Sequence, residues 1–380
     1  MATLDLPGIG AAGSAAAAGS ASGVSAGGFV AAPATVDAVP GRVSIVVAAC
    51  NCEDTVAAAV ASCLDQTHRD VEVIVVDDGS TDATAQVLER FGSSIRVIHQ
   101  RNGGLAAARN TGARAATGEF VAWMDGDDIA MPERLLVEAG VLASKPEVAL
   151  VSSDFSAFVT GAADFDPSHI GCYYRSVGRQ GGLDGIYSAS GPIDAFVDAR
   201  GLPVLVRWGD AYERLLWGNF VHPPTVMVRR RVFDEVGFFD ESLRYNSDYD
   251  LIIRIARSGP FAFVDAPLLR YRRGPTQMSQ AFGSAVALET ARILQKIRHL
   301  DPAMYASNQP LIERRIAEAL IGAAESIGAD DRPRALRLLA RGLRSRVMPA
   351  RAVRAFARIL LPGAVIASLK RIKRRAARAG

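Results

Sequence analysis

Val71-Glu72-Val73-Ile74-Val75-Val76-Asp77-Asp78-Gly79-Ser80-Thr81-Asp82 runs from a β-branched apolar stretch directly into a polar cluster. The apolar part, Val71 to Val76, has the length and residue types of a buried strand, and the cluster both ends it and caps a helix expected over Ala83 to Phe91. Working outward, the same alternation recurs. Val43 to Ala49 is a continuous apolar run suited to a strand buried on both faces, and helical spacing follows from Glu53 to Asp65. On the other side come a strand at Ile95 to His99, a helix from about Gly104 to Ala116, and a strand from Glu119 to Met124 that stops at Asp125. Alternation of this kind implies an α/β fold with a mostly parallel sheet flanked by helices, and ligands then bind beyond the carboxyl ends of the strands.

Two acidic clusters fall at such ends, Asp77-Asp78 after the second strand and Asp125-Gly126-Asp127-Asp128 after the fourth. Carboxylates pointed into one crevice repel one another unless something positive intervenes. A divalent cation with hard oxygen ligands, itself holding a diphosphate, meets that need. The alternative is that Asp-Gly and Asp-Asp here are turn chemistry alone.

The remaining composition narrows the class. With 380 residues, 49% of them hydrophobic, the chain can bury a large core, and 43 basic against 40 acidic residues leave a net charge of +3, which does not indicate a nucleic-acid partner. Residues 1–40 are rich in Ala, Gly and Ser with Asp5 and Asp37 as their only charges, so a disordered leader rather than a signal peptide is expected. The fingerprint-like Gly8-Ile9-Gly10-Ala11-Ala12-Gly13 has no strand before it and is read as chance in a Gly-rich segment. Cys50, Cys52, Cys63 and Cys172 have no zinc-type spacing, and reduced thiols in a cytoplasmic protein are expected. From Ala364 to Gly380 the chain is basic without an acidic residue, either a solvated terminus or a segment for peripheral contact with the cytoplasmic face of an anionic membrane.

In order and spacing, these segments resemble the family-2 inverting glycosyltransferases of the nucleotide-diphospho-sugar transferase superfamily, which have the GT-A fold. The resemblance covers residue 43 to about residue 273 and is carried by Val43-Ser44-Ile45-Val46-Val47, Asn51, Asp65-Gln66-Thr67 and Val75 to Asp82. Asn102-Gly103-Gly104-Leu105-Ala106-Ala107-Ala108-Arg109-Asn110-Thr111-Gly112 and Gly118 to Asp128 continue it. It implies a nucleotide-diphosphate sugar donor held by Ala48, Cys50, Glu53, Asp78, Gly104, Arg109, Asp125 and Gly126. Asp78 would bond the nucleobase, while Asp125 and Asp127 would form the Asp-x-Asp motif, with Asp125 near the ribose and both carboxylates at a Mg²⁺ or Mn²⁺ site.

The acceptor half of the family is matched by Phe220 to Arg230, Val236 to Glu241 and Asn246-Ser247-Asp248-Tyr249-Asp250-Leu251. On that similarity Asp248 is the catalytic base, Asp250 braces the helix Leu251 to Ala256, and His222 and Trp217 are acceptor-side candidates. The chain departs from the family pattern in three places. Ala48-Ala49-Cys50-Asn51 replaces Pro-x-Tyr-Asn, Ser247 stands where a Glu usually precedes the base, and Gly274 stands where a His often does. Arg270, Arg272 or Arg273 would then contact the diphosphate.

The expected layout is a leader at 1–40 and a GT-A domain at 41–280, divided into a nucleotide-sugar half at 41–130 and an acceptor half at 131–280. Within the acceptor half, residues 152–215 are expected to be a variable region, with Tyr173, Tyr174 and Trp208 as possible sugar platforms, and a helical region fills 281–380. The function implied is transfer of a sugar, with inversion, to a saccharide or lipid-linked acceptor in cell-surface polysaccharide, glycolipid or glycan synthesis. A non-catalytic nucleotide-sugar-binding scaffold is the alternative. A sugar-1-phosphate nucleotidyltransferase is disfavoured, because Ala48 to Asp54 has neither Gly nor a basic residue.

Overall fold

The apolar runs form the centre of a single mixed sheet. In the computed structural model, which describes residues 39–160, 168–197, 203–274, 283–328, 330–344, 355–356 and 359–360, the first four strands are β1 (Val39–Ala49), β2 (Val71–Asp78), β3 (Arg96–Gln100) and β4 (Gly118–Asp125). They alternate with α1 (Val56–Leu64), α2 (Thr84–Glu89) and α3 (Leu105–Ala115), as the periodicity predicts. The expected leader, except its last two residues, and the basic tail from Ala364 lie outside the described residues.

Pairing is parallel across β3-β2-β1-β4. Val43, Ile45, Val47, Ile74, Val75 and Val76 are wholly buried, and each such side chain contributes about 1.5–3 kcal/mol of burial free energy. The helix α3 lies unusually close to this sheet. A Cβ at Gly112 would stand 2.2 Å from Val46 Cγ1, so only glycine allows the approach.

The second half extends the sheet with β5 (Ile129–Ala130), β6 (Leu150–Phe158), β7 (Ala189–Val197), β8 (Pro203–Gly209), β9 (Met227–Arg229) and β10 (Phe261–Arg272). The full order is β3-β2-β1-β4-β9-β6-β10-β8-β7, with β5 against β10. Short β9 runs antiparallel between β4 and β6, and β8 antiparallel between β10 and β7, so the sheet is mostly but not wholly parallel. Every residue of β6 is buried, so the start of the stretch 152–215 is core, while the β7–β8 hairpin forms its edge.

Helices of this half are α4 (Arg134–Ser144), α5 (Ile170–Tyr173), α6 (Arg175–Arg179), α7 (Tyr212–Leu215), α8 (Val232–Val236) and α9 (Ser247–Ile255). They are followed by α10 (Ser284–Leu300), α11 (Pro302–Ser307), α12 (Gln309–Ile327) and α13 (Arg332–Leu343). Consecutive long helices pack through buried Ile293, Leu294 and Ile297 of α10, Ile312, Ile316 and Leu320 of α12, and Leu338 and Leu339 of α13. Among the described residues no helix is long and apolar enough to cross a membrane.

Candidate active site

Parallel pairing brings the carboxyl ends of β1, β2 and β4 to one edge, where Ala49 registers with Asp77 and Ala48 with Asp125. A cleft of about 2070 Å³ opens there. Ala48, Cys50, Glu53, Asp78, Gly104, Arg109, Asp125, Gly126, Asp127, His222 and Asp248 all line it. Trp217 is not among the lining residues; it is 38% exposed, so the structure does not bring this acceptor candidate to the cleft.

The first wall is tied together by short polar loops. Asn51, at φ 49°, accepts the Thr81 N–H at 2.8 Å, and Glu53 accepts the Ala83 N–H at 2.6 Å, joining the turns after β1 and β2. Asp78 is buried and accepts the Gly103 and Gly104 N–H groups, both at 2.8 Å, and Gln100 Nε2 at 2.7 Å. A carboxylate has about four acceptor positions, so these three donors leave one. The φ of +86° at Gly104 presents that N–H without strain. Cys50 Sγ sits between the Asp78 carbonyl and Asn102 Nδ2, at 3.5 and 3.3 Å, where the family pattern has an aromatic. All four cysteines are free thiols, and burial pushes Cys52 and Cys63 up to about 12. Gln100 and Asn102 as partners of this wall were not singled out from the sequence; the Asn-Gly-Gly stretch between β3 and α3 was the available signal.

Asp125 leaves β4 and pairs at 2.6 Å with Arg109, which is only 2% exposed and lies over the Trp123 and Phe239 rings. Arg109 thus makes this ion pair from a buried position. Asp127 lines the cleft half-exposed, and its backbone carbonyl accepts Arg272 Nε at 2.6 Å. Asp128 points inward, accepting the Arg272 N–H at 2.9 Å, while its other oxygen is buried without a partner among the described residues. Burial, with Asp127 and Asp125 beside it, raises Asp128 well above the usual carboxylate range and favours the neutral acid. Arg273 and Gly274 also line the cleft, whereas Arg270 does not and packs over Phe158.

Among the described residues, no three His, Cys, Asp or Glu side chains are grouped to hold a metal. Asp127, with Asp125 partly committed to Arg109, is a sparse carboxylate set. It suits Mg²⁺ or Mn²⁺, whose remaining positions are normally filled by substrate phosphates and water.

Opposite, Asp248 occupies the first turn of α9, a helix that begins four residues earlier than the periodicity suggested. Burial raises the Asp248 carboxyl; Arg109 opposes the rise and Asp125 adds to it. Asp250 is buried within the same turn and bonds Arg254 at 3.0 Å, consistent with bracing the helix. His222 is stacked on Phe155 at 4.0 Å, edged by Tyr173 and Tyr271, and bonded to Tyr174 Oη at 3.3 Å through Nδ1. Burial pushes it down to about 3, so it is a neutral ring. Tyr173 and Tyr174 line the cleft; Trp208 does not and lies under Lys145.

Residues 44–168 match the family model described as glycosyl transferase family 2. Over this segment the chain is similar to that family. The family-2 match runs ten residues beyond β6, so it takes in the first part of the stretch expected to vary. An uncharacterized glycosyltransferase of Rickettsia typhi is 26% identical over 230 residues, covering 60% of this chain and 63% of that protein. EpsJ of Bacillus subtilis, also an uncharacterized glycosyltransferase, is 45% identical over 103 residues, 26% of this chain and 30% of that one. Chondroitin synthase of Escherichia coli is 27% identical over 235 residues, 61% of this chain and 29% of that one. The alignments therefore span less than two thirds of these relatives' own lengths. Among solved structures, Staphylococcus aureus TarS 1–349 in complex with UDP superposes with a TM-score of 0.54 at 17% identity, covering 84% of this chain and 88% of that one. The same protein in complex with UDP-GlcNAc gives 0.55 at 15% identity over the same shares. The expected GT-A fold is thus the fold observed.

Proposed function

We propose that this chain is an inverting glycosyltransferase that moves a sugar from a nucleotide-diphosphate sugar to an acceptor hydroxyl. The observation that carries the reading is that the acidic donor wall, Asp78, Asp125 and Asp127, and the raised carboxyl of Asp248 face one cleft. Likeness to a fold solved with UDP and UDP-GlcNAc supports a nucleotide-sugar donor.

In this reaction Asp248 takes the acceptor hydroxyl proton as that oxygen bonds the anomeric carbon, and the bond from that carbon to the diphosphate breaks on the opposite face. The electron pair leaves with the nucleoside diphosphate. Asp78 and the Gly103-Gly104 turn orient the base, Arg109 holds Asp125 at the ribose side, and Arg272 or Arg273 meets the phosphates. Asp127, with Asp125, would hold Mg²⁺ or Mn²⁺, which as a Lewis acid supplies stabilisation of the leaving diphosphate. A saccharide or lipid-linked acceptor would approach past His222, Tyr173 and Tyr174. The similarity to chondroitin synthase supports a role in polysaccharide synthesis, and the basic composition of residues 364–380 suits peripheral contact with an anionic membrane.

A thermal-shift screen of UDP-, GDP- and dTDP-sugars, with and without Mn²⁺, tests the donor half, because a ligand that binds the native state raises its apparent stability. A Mn²⁺-dependent shift with one nucleotide, followed by product of inverted anomeric configuration by NMR, is the expected result. No shift with any donor would sink the enzyme reading. A shift without turnover would favour the non-catalytic scaffold.

A further inference from the structure

The segment that carries Asp248 is clamped by a helix lying beyond the family-2 match. Glu289, on α10, is 9% exposed. One of its carboxylate oxygens accepts the Arg244 N–H at 2.8 Å, and the other accepts the Tyr245 and Asn246 N–H groups, both at 2.9 Å. Asn246, directly before α9, does not cap that helix with its side chain; it donates to the Val286 carbonyl at 2.9 Å and to Thr290 Oγ1 at 3.2 Å. Two turns along α10, Lys296 donates to Asp240 at 2.7 Å and to Asp250 at 2.6 Å. Both ends of the stretch 240–250 are therefore tied to one face of α10, and Val286 and Thr290 of that face line the cleft.

Three consecutive backbone N–H groups converging on one carboxylate make a rigid arrangement, since charge-assisted bonds are short and directional. Loops do not need this to stay folded; water would serve exposed amides equally well. What the arrangement does fix is the entry into α9, two residues before Asp248. A base has to stand within hydrogen-bond reach of the acceptor hydroxyl, and a displacement near 1 Å costs about 10²-fold in rate.

We propose that Glu289 is a positioning residue for sugar transfer, holding Asp248 against the donor carboxylates through the amides of residues 244–246. The proposal rests on the reading of Asp248 as base. It gives one side chain of the C-terminal helical region, Glu289, a part in sugar transfer.

Glu289→Gln keeps the side chain's size but turns an N–H₂ toward amides that need an acceptor. With the donor found by screening, kcat should fall roughly 10- to 100-fold while donor KM and UDP affinity stay within about twofold. Hydrogen exchange at residues 244–246 should quicken in the same variant. Ile293→Ala, a buried core change on the same helix, controls for loosened packing: it should lower Tm and leave kcat and that exchange near wild type. If Glu289→Gln does not fold, Asn246→Ala, which removes two bonds to α10, should show the same selective loss of kcat. The proposal is overturned if exchange quickens while kcat stays within twofold, or if kcat and donor KM shift together as packing damage would make them. An inactive wild-type protein overturns the transfer reading and this proposal together; an active one with an unaffected variant overturns this proposal alone.

Discussion

Asp248→Asn should move activity and stability in opposite directions. The carboxyl of Asp248 is raised by burial in the cleft, with Asp125 adding and Arg109 opposing. In the unfolded chain an Asp ionises at about 3.9, so as pH rises through that value the unfolded state loses its proton first. The folded state falls behind until its own higher value is passed, and above that the deficit is constant at about 1.4 kcal/mol for each unit of elevation. An amide carries no such deficit. At pH 7.5 the Asp248→Asn protein should therefore melt at the wild-type temperature or above it, and the gap should close as pH falls toward 4. Activity should go the other way: losing a positioned base costs about 10²- to 10⁴-fold, or about 3–5 kcal/mol of barrier. UDP affinity by calorimetry should be unchanged or slightly tighter, because a negative charge near the diphosphate has gone. The assay is UDP release with donor and acceptor across pH 5–8.5, beside melting curves over pH 4–8. Turnover within threefold of wild type would remove Asp248 as base. A variant that melts clearly lower at pH 7.5 would mean that the native state favours the carboxylate, contrary to its burial.

Three further outcomes follow from separate parts of the structure. Asp127→Ala should abolish the Mn²⁺ dependence of UDP binding in a calorimetric titration, and unchanged affinity with Mn²⁺ present would end its metal role. His222, pushed down to about 3 by burial, should show no ring titration by NMR between pH 8 and pH 5; a protonation step in that window would mean the ring is hydrated. Gly112→Ala forces a methyl against Val46, costing about 1–3 kcal/mol of overpacking offset by about 1 kcal/mol of helix propensity. Its Tm should drop, and adding Val46→Ala should cost less than the two single changes summed; strict additivity would refute the contact.

The donor wall was legible in the chain because it is local. Strand ends in an alternating α/β pattern point the same way, so Asp78 and Asp125 could be assigned to one edge from periodicity alone, and β1 to β4 appear where the apolar runs place them. The resemblance added Asp248 to that picture. Trp217 is not among the residues that line the cleft; a single aromatic has no periodic partner in the sequence to fix the direction it faces.

Sequence by itself thus determined the parallel half of the sheet, its carboxyl edge and the acidic residues along it, since each depends on patterns within a few turns of chain. Tertiary structure alone decided what those groups touch. Arg109 is buried on Asp125 rather than exposed on a helix, Asp128 faces inward, where burial raises its carboxyl, and Glu289, some forty residues from Asp248 in the chain, holds the segment that carries it. Such contacts join elements brought together by burial of the whole core, and the free energy that places them is not written in any one segment.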